Sequence, residues 1–256
     1  MRSIIEGFLC AVSLCTVIPL PQPQWSKESL RYMLCFLPLV GLAPAALLLG
    51  WYWVCNRFAL SAGLFAALAV LLPIWISGGI HMDGLADVSD AKAAHADVAR
   101  SLQIMSDPHI GAFGVLGIVG YLLLGFGLWQ QVYMAPAFLL QAAAGCIAGR
   151  AMDAYSIVAL PPAKESGLSY EFATCANRPW VQRVNLASIA LVLLLCTKQS
   201  LLCGGLTTLA LLACWQGHKR LSAERFGGTT GDLAGYLLQK VELLFLAIAA
   251  IGGVLL

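Results

Sequence analysis

The chain has 256 residues and a mass of 27.2 kDa; 60% of its residues are hydrophobic, only 11% are charged, and its mean hydropathy is +0.82. Soluble domains run at about 45–50% apolar and about 25% charged residues, so a soluble globular domain, a disordered chain and a disulfide scaffold are excluded and a polytopic membrane protein is indicated. With 15 Lys+Arg against 13 Asp+Glu the net charge of +2 leaves no nucleic-acid footprint.

The opening stretch, residues 4–20, is apolar but carries Glu6 and ends at Pro19, Pro21 and Pro23, which stop a helix. It lacks a small-x-small cleavage site, so it reads as an uncleaved interfacial or re-entrant segment. Residues 32–56, 58–82 and 110–149 then run without a charge, and a spanning helix needs about 20 apolar residues. The pattern predicts about seven spans, near 33–55, 59–77, 112–130, 136–158, 184–202, 203–218 and 239–256. Alternate connections hold twelve cations, from Arg2, Lys27 and Arg31 through to Arg225 and Lys240, while the opposite face has only Arg57 and Lys198. By the positive-inside rule the N-terminus is then cytoplasmic, and an odd span count puts the C-terminus outside. The expected fold is an all-α, polytopic helical membrane protein forming one domain over 1–256, with an acidic active-site loop at the cytoplasmic face. Nine scattered cysteines form no CxxC or zinc spacing and read as small apolar helix residues.

The acidic residues carry the chemistry. In Gly78-Gly79-Ile80-His81-Met82-Asp83-Gly84-Leu85-Ala86-Asp87-Val88-Ser89-Asp90, three aspartates stand at i, i+4 and i+7, on one face of a helix. Facing lipid, they would cost roughly 8–10 kcal/mol together on insertion scales. They therefore face a wet cavity or the cytoplasmic end of the second span. Like charges on one stripe call for a cation among them, and Mg²⁺, which takes oxygen ligands, is the expected one. A plain solvated amphipathic helix is the competing explanation. Gly84 would leave room beside the stripe for a phosphate or the metal.

Other residues fall around this stripe. Asp97, with Lys92, His95 and Arg100 nearby, reads as solvated. His81 is either a hydrogen-bonded structural group or a residue near phosphates. Asp107, before Pro108, is either a helix N-cap or part of the site. Arg150 and Asp153, three apart in an apolar run, either neutralise each other or leave Arg150 to fork onto a phosphate. Lys164 supplies a loop cation. The stretch Phe226-Gly227-Gly228-Thr229-Thr230-Gly231-Asp232 offers backbone N–H groups to an anion, with Gly228 and Asp232 the residues singled out. No Gly-Lys-Ser/Thr follows, so it is no Walker motif. Glu242 is either paired in the interior or functional.

Taken together, Gly79-Ile80-His81-Met82-Asp83-Gly84-Leu85-Ala86-Asp87 with Asp90, Asp107-Pro108 with Ile110-Gly111-Ala112-Phe113-Gly114, Arg150, Lys164-Glu165-Ser166-Gly167-Leu168 and Gly227-Gly228-Thr229-Thr230-Gly231-Asp232 with Glu242 resemble, block by block and in order, the membrane-bound cobalamin synthase family. The likeness covers nearly the whole chain. The sequence departs from the usual pattern at Val17, Ser106 and His109, where basic residues are common in that family, which bears on phosphate contacts from the Asp107 block. The resemblance implies a transferase of cobalamin biosynthesis in the cell membrane that joins adenosylcobinamide-GDP to α-ribazole or its 5′-phosphate and releases GMP, with Mg²⁺ as cofactor. It implies Asp83, Asp87 and Asp90 as metal and catalytic residues, and His81, Asp107, Arg150, Lys164, Gly228 and Asp232 as substrate-binding residues.

Two rivals fit less well. The CDP-alcohol phosphotransferase pattern needs Asp where Ile80 stands and Arg where Asp87 stands. A carboxylate-dependent transporter would place its acids at mid-span in two symmetric halves. The expected partners are the two substrates and membrane lipid, with no nucleic acid; homo-oligomer formation is left open.

Overall fold

In the computed structural model, which describes residues 2–255, thirteen α-helices and one 3₁₀ turn follow one another. Met1, the side chain of Arg2 and Leu256, which closes the last expected span, lie outside the described residues. In chain order the helices are α1 (Arg2–Cys15), α2 (Lys27–Met33), α3 (Leu37–Val40), α4 (Leu42–Arg57), α5 (Ala62–Ile76), α6 (Ile80–Ala93) and α7 (Val98–Ile104). They continue with α8 (Ala112–Met134), α9 (Leu139–Ala159), α10 (Leu168–Cys175), α11 (Arg178–Gln199), α12 (Leu201–Phe226) and α13 (Gly231–Leu255). Among the described residues there is no strand, only an isolated parallel bridge between Pro162 and Thr229.

Length and composition qualify four segments to cross a bilayer: Leu37–Arg57, Ala112–Met134, Arg178–Gln199 and Gly231–Leu255. A fifth arises if α5 and α6, bent by 95°, count as one broken span. These fit a multi-pass membrane protein. The expectation of about seven spans is not reached, because α9 and α12 do not qualify. Both are long enough, but α9 carries Arg150, Asp153 and Gln141, and the last turns of α12 carry Lys219, Arg220, Glu224 and Arg225. At 14 residues, α1 is too short to cross. It packs Cys10, Ala11 and Cys15 against Leu30 and Leu34 instead, and its Glu6 accepts a hydrogen bond from the Gln24 N–H at 3.0 Å.

α13 is the axis. It packs on α9, α6, α8 and α12, and small residues set how closely. A Cβ on Gly145 would lie 2.8 Å from Phe245, and one on Gly149 would lie 3.2 Å from Leu238. This is the small-residue packing that lets membrane helices approach. Between the same two helices Arg150 and Glu242 form an ion pair at 2.9 Å, 1% and 8% exposed. Arg150 also donates to the Cys146 carbonyl at 3.1 Å.

The α5–α6 bend is a glycine device. Gly78 and Gly79 adopt φ of +65° and +80°, a conformation that an L side chain resists. Gly79 N–H donates to Ile74 O at 3.0 Å, closing α5, while Gly79 O accepts the first hydrogen bonds of α6. α6 thus leaves the line of α5 and lies across the start of α13. There a Cβ on Gly84 would stand 2.6 Å from the Asp232 carbonyl oxygen. The expectation that Gly84 clears space for a ligand is corrected: its missing side chain is filled by the α13 backbone.

This contact is testable. Gly84→Ala raises helix propensity yet must push α6 off α13, so a loss of roughly 1–3 kcal/mol is expected, read as a lower thermal midpoint in detergent. Gly120→Ala, with nothing within 4 Å of its Cβ, is the control and should leave the midpoint unchanged or raise it, by up to about 1 kcal/mol of stability.

Candidate active site

α6 presents its acidic face at the junction of α7, α8 and α13. Asp83 is exposed and Asp87 and Asp90 are half-buried, while His81, Gly84, Leu85 and Val88 turn inward. The i, i+4, i+7 stripe is therefore real, but its members have different surroundings.

Asp83 lines a cavity of about 320 Å³ together with His81, Asp153, Lys164, Thr230 and Asp232. The acidic segment, the Lys164 loop and the start of α13 thus open into one hollow and share one face of the bundle. Lys164 is steered there by Ser106, whose hydroxyl accepts from the ammonium at 2.7 Å. Thr230 caps α13, its hydroxyl accepting from the Leu233 N–H at 3.2 Å.

Asp87 and Asp90 line a second, more open hollow of about 440 Å³ with Asp107, His109, Gly111 and Phe113. Asp90 accepts from the Gly111 N–H at 2.7 Å and the Gly114 N–H at 2.8 Å, one bond to each oxygen. It caps α8 from a different helix, matching a carboxylate to the positive end of the helix dipole. A Cβ on Gly111 or Gly114 would stand 2.5 Å from an Asp90 oxygen, so the two glycines form the seat. Gly117 repeats the arrangement one turn on, where a Cβ would be 2.6 Å from the Ser89 hydroxyl. Asp107 accepts from the backbone N–H of His109 at 2.9 Å and meets its ring at 2.8 Å. Those bonds hold the Asp107 carboxyl below the usual carboxylate range.

Two expected site residues are occupied structurally. Arg150 is paired with Glu242, not Asp153, and lies outside both hollows. Gly228 donates its N–H to Ser222 O at 2.9 Å, closing α12, and a Cβ there would meet Pro161 O at 2.6 Å. The Thr229 N–H goes to Pro161 O at 2.8 Å and the Thr229 carbonyl accepts from Ala163 at 2.9 Å. These backbone groups tie the Lys164 loop to α13 and leave any anion to Thr230 and the first turn of the helix. Asp153, weighed in the sequence only as a partner for Arg150, is instead a wall residue of the first cavity.

A divalent cation can be tested against these groups. Among the described residues no three His, Cys, Asp or Glu side chains form a set that would hold a metal alone. Asp83, Asp90 and Asp232 nevertheless lie near enough to Asp87 for their charges to act on it. Asp83 and Asp87 make no side-chain hydrogen bond among the described residues, so both are free to ligate. Mg²⁺ is usually held by one or two carboxylates, waters and substrate phosphates, not by an all-protein cage. The open carboxylate row fits that ion.

The profile of the family described as cobalamin-5-phosphate synthase matches residues 7–250. A Lachnoclostridium phytofermentans protein named adenosylcobinamide-GDP ribazoletransferase is 33% identical over 94% of this chain and 91% of its own length. Proteins of that name from Geobacillus thermodenitrificans (35% identical, 95% of each chain) and Pseudomonas putida (36%, 88% of each) are similar to it as well. No solved structure matches.

The division of labour within the stripe predicts different failures. Asp90→Ala should cost about 1–2 kcal/mol, the value of an N-cap, seen as a fall in the thermal midpoint. Asp83→Asn should leave the midpoint in place. Equal midpoints for the two variants would refute the capping role.

Proposed function

The chain belongs to the cobalamin-5-phosphate synthase family, and on that premise we propose that it is a membrane-bound phosphotransferase joining adenosylcobinamide-GDP to α-ribazole or its 5′-phosphate. A ribazole hydroxyl attacks the phosphorus bonded to the cobinamide side; the bond to GMP breaks, and adenosylcobalamin or its 5′-phosphate forms. The observation that carries this reading is the row Asp83–Asp87, free of other duties, standing with Asp232 between two hollows. A displacement at phosphorus needs two substrates brought from opposite sides with the charge between them neutralised.

Asp83 and Asp87 are the residues proposed to hold Mg²⁺. When bound, the ion would neutralise charge on the diphosphate oxygens. Lys164 faces the same oxygens from the first cavity, held in reach by Ser106. Thr230 and the first turn of α13 add the positive end of a helix dipole. The hydroxyl proton passes to solvent through the open second hollow. Asp90 keeps α8 seated against the row and so holds the second hollow in shape. Asp107 and His109 line that hollow's rim as candidate contacts for the second substrate. The corrin is too large for either hollow and extends outside them.

Arg2, Lys27 and Arg31 before the first span and Lys92 and Arg100 at the end of the bent α5–α6 pair favour a cytoplasmic N-terminus and a site opening to the cytoplasm, where nucleotides are found. Cell-membrane location and one domain over 1–256 complete the proposal.

Asp83→Asn and Asp87→Asn should each lower GMP release from adenosylcobinamide-GDP and α-ribazole by about 100-fold or more, while both variants insert and purify as the parent does. Chelation should abolish turnover and Mg²⁺ restore it. Parent-like turnover in either variant, or chelator-resistant activity, would remove the carboxylate row from the chemistry.

A further inference from the structure

Asp153 takes part in none of the steps above. It lies on α9 with 6% of its surface exposed. Arg150, one turn away, is committed to Glu242. Among the described residues the Asp153 carboxylate has no hydrogen-bond donor, and it opens only onto the first cavity. A carboxylate buried without a donor is costly. A ligand that brings paired donors into the cavity relieves that cost.

The cavity has two unlike ends. At the exposed end stand Asp83, Lys164 and the first turn of α13. At the buried end Asp153 is set among Leu34, Leu37, Ile157 and Phe172, all below 7% exposed. Phosphate-binding groups at one end and an apolar slot with a single carboxylate at the other describe a nucleotide pocket. About 320 Å³ gives room for a nucleotide and not for a corrin ring.

Of the two nucleosides in the proposed reaction, one suits this slot. Guanine carries N1–H and a 2-amino group side by side, two donors matched to the two oxygens of a carboxylate. The base of α-ribazole has no N–H: one ring nitrogen bears the ribose and the other is a bare acceptor. Seated at the buried end, it would leave Asp153 without a donor.

We propose that Asp153 reads the guanine of the GDP moiety, which enters the first cavity base-first with its diphosphate at Asp83 and Lys164. The second hollow is left to the ribazole. This rests on the phosphotransferase reading and deepens it by naming which substrate fills which hollow.

The test is equilibrium binding of mononucleotides to purified protein in micelles with Mg²⁺ present. The parent should bind GMP at least tenfold more tightly than inosine monophosphate, which lacks the 2-amino group, as expected for one lost bond to a charged acceptor. 1-Methylguanosine monophosphate, without N1–H, should bind as weakly. Asp153→Asn should bring GMP and inosine monophosphate to within about threefold of each other, with α-ribazole KM unchanged. Asp153→Ser is the second variant if the first does not insert. An unchanged GMP preference in a folded variant overturns the proposal. So does a loss of α-ribazole affinity in place of GMP affinity, which would assign the first cavity to the acceptor. Release of GMP by the parent during turnover is scored separately: its absence sinks the phosphotransferase reading, whereas its presence with an unchanged nucleotide preference sinks only the role of Asp153.

Discussion

An ion inside a membrane protein must be matched by an opposite charge, by oriented dipoles or by a wet hollow, because the surrounding lipid offers it nothing. That constraint sorts the acidic residues of this chain. Glu242 is matched by Arg150 at 2.9 Å between α9 and α13. Asp90 is matched by two backbone N–H groups of α8. Asp83, Asp87 and Asp153 have no such match among the described residues and open onto hollows. Removing one partner of a buried pair costs about 3–5 kcal/mol, so the first two are architectural. The unmatched three are where a ligand has electrostatic work to do.

The matched groups are also what bring the hollows together. Four close approaches, through Gly84, Gly111, Gly114 and Gly149, bring α6 onto α13, α8 onto α6 and α9 onto α13. In each, a side chain or backbone from a neighbouring helix occupies the space a Cβ would take. The sequence blocks around residues 83–90, 107–114, 164 and 228–232 are thereby parts of one surface. Lys164 shows the economy of the arrangement: the backbone bridge between Pro162 and Thr229 ties its loop to α13, and Ser106 aims its ammonium.

How far the sequence revealed this depends on whether the information is local. Hydropathy is local, and it located four of the seven expected spans, or five with the bent α5–α6 pair counted as one. It failed on α9 and α12 because tertiary burial, not lipid, accommodates the charges of α9, and the end of α12 is polar. The aspartate stripe is local periodicity and was legible. Partner choice is not local. Arg150 stands three residues from Asp153 and 92 from Glu242, and spacing along one helix says nothing about which residue a neighbouring helix delivers. For the same reason Gly84 read as empty space, although α13 fills it, and nothing in the Gly-x-x-Gly of residues 111–114 announced that it seats Asp90.

The incompleteness of the carboxylate row has a consequence on the proposed reading. A cage of three or more carboxylates would bind Mg²⁺ tightly with or without substrate, and its charge would be largely spent. Two free carboxylates would leave such an ion undercoordinated and short of negative charge, and the diphosphate would complete its coordination. Metal and nucleotide then raise each other's affinity by the same factor, as linkage requires. The guanine contact proposed for Asp153 feeds into this coupling from the far end of the cavity. Binding energy gained at the base, away from the reacting phosphorus, can be spent on drawing the diphosphate and the ion onto Asp83 and Asp87. A buried donorless carboxylate at one end and an open cation site at the other are, on this view, complementary halves of a single nucleotide-binding device.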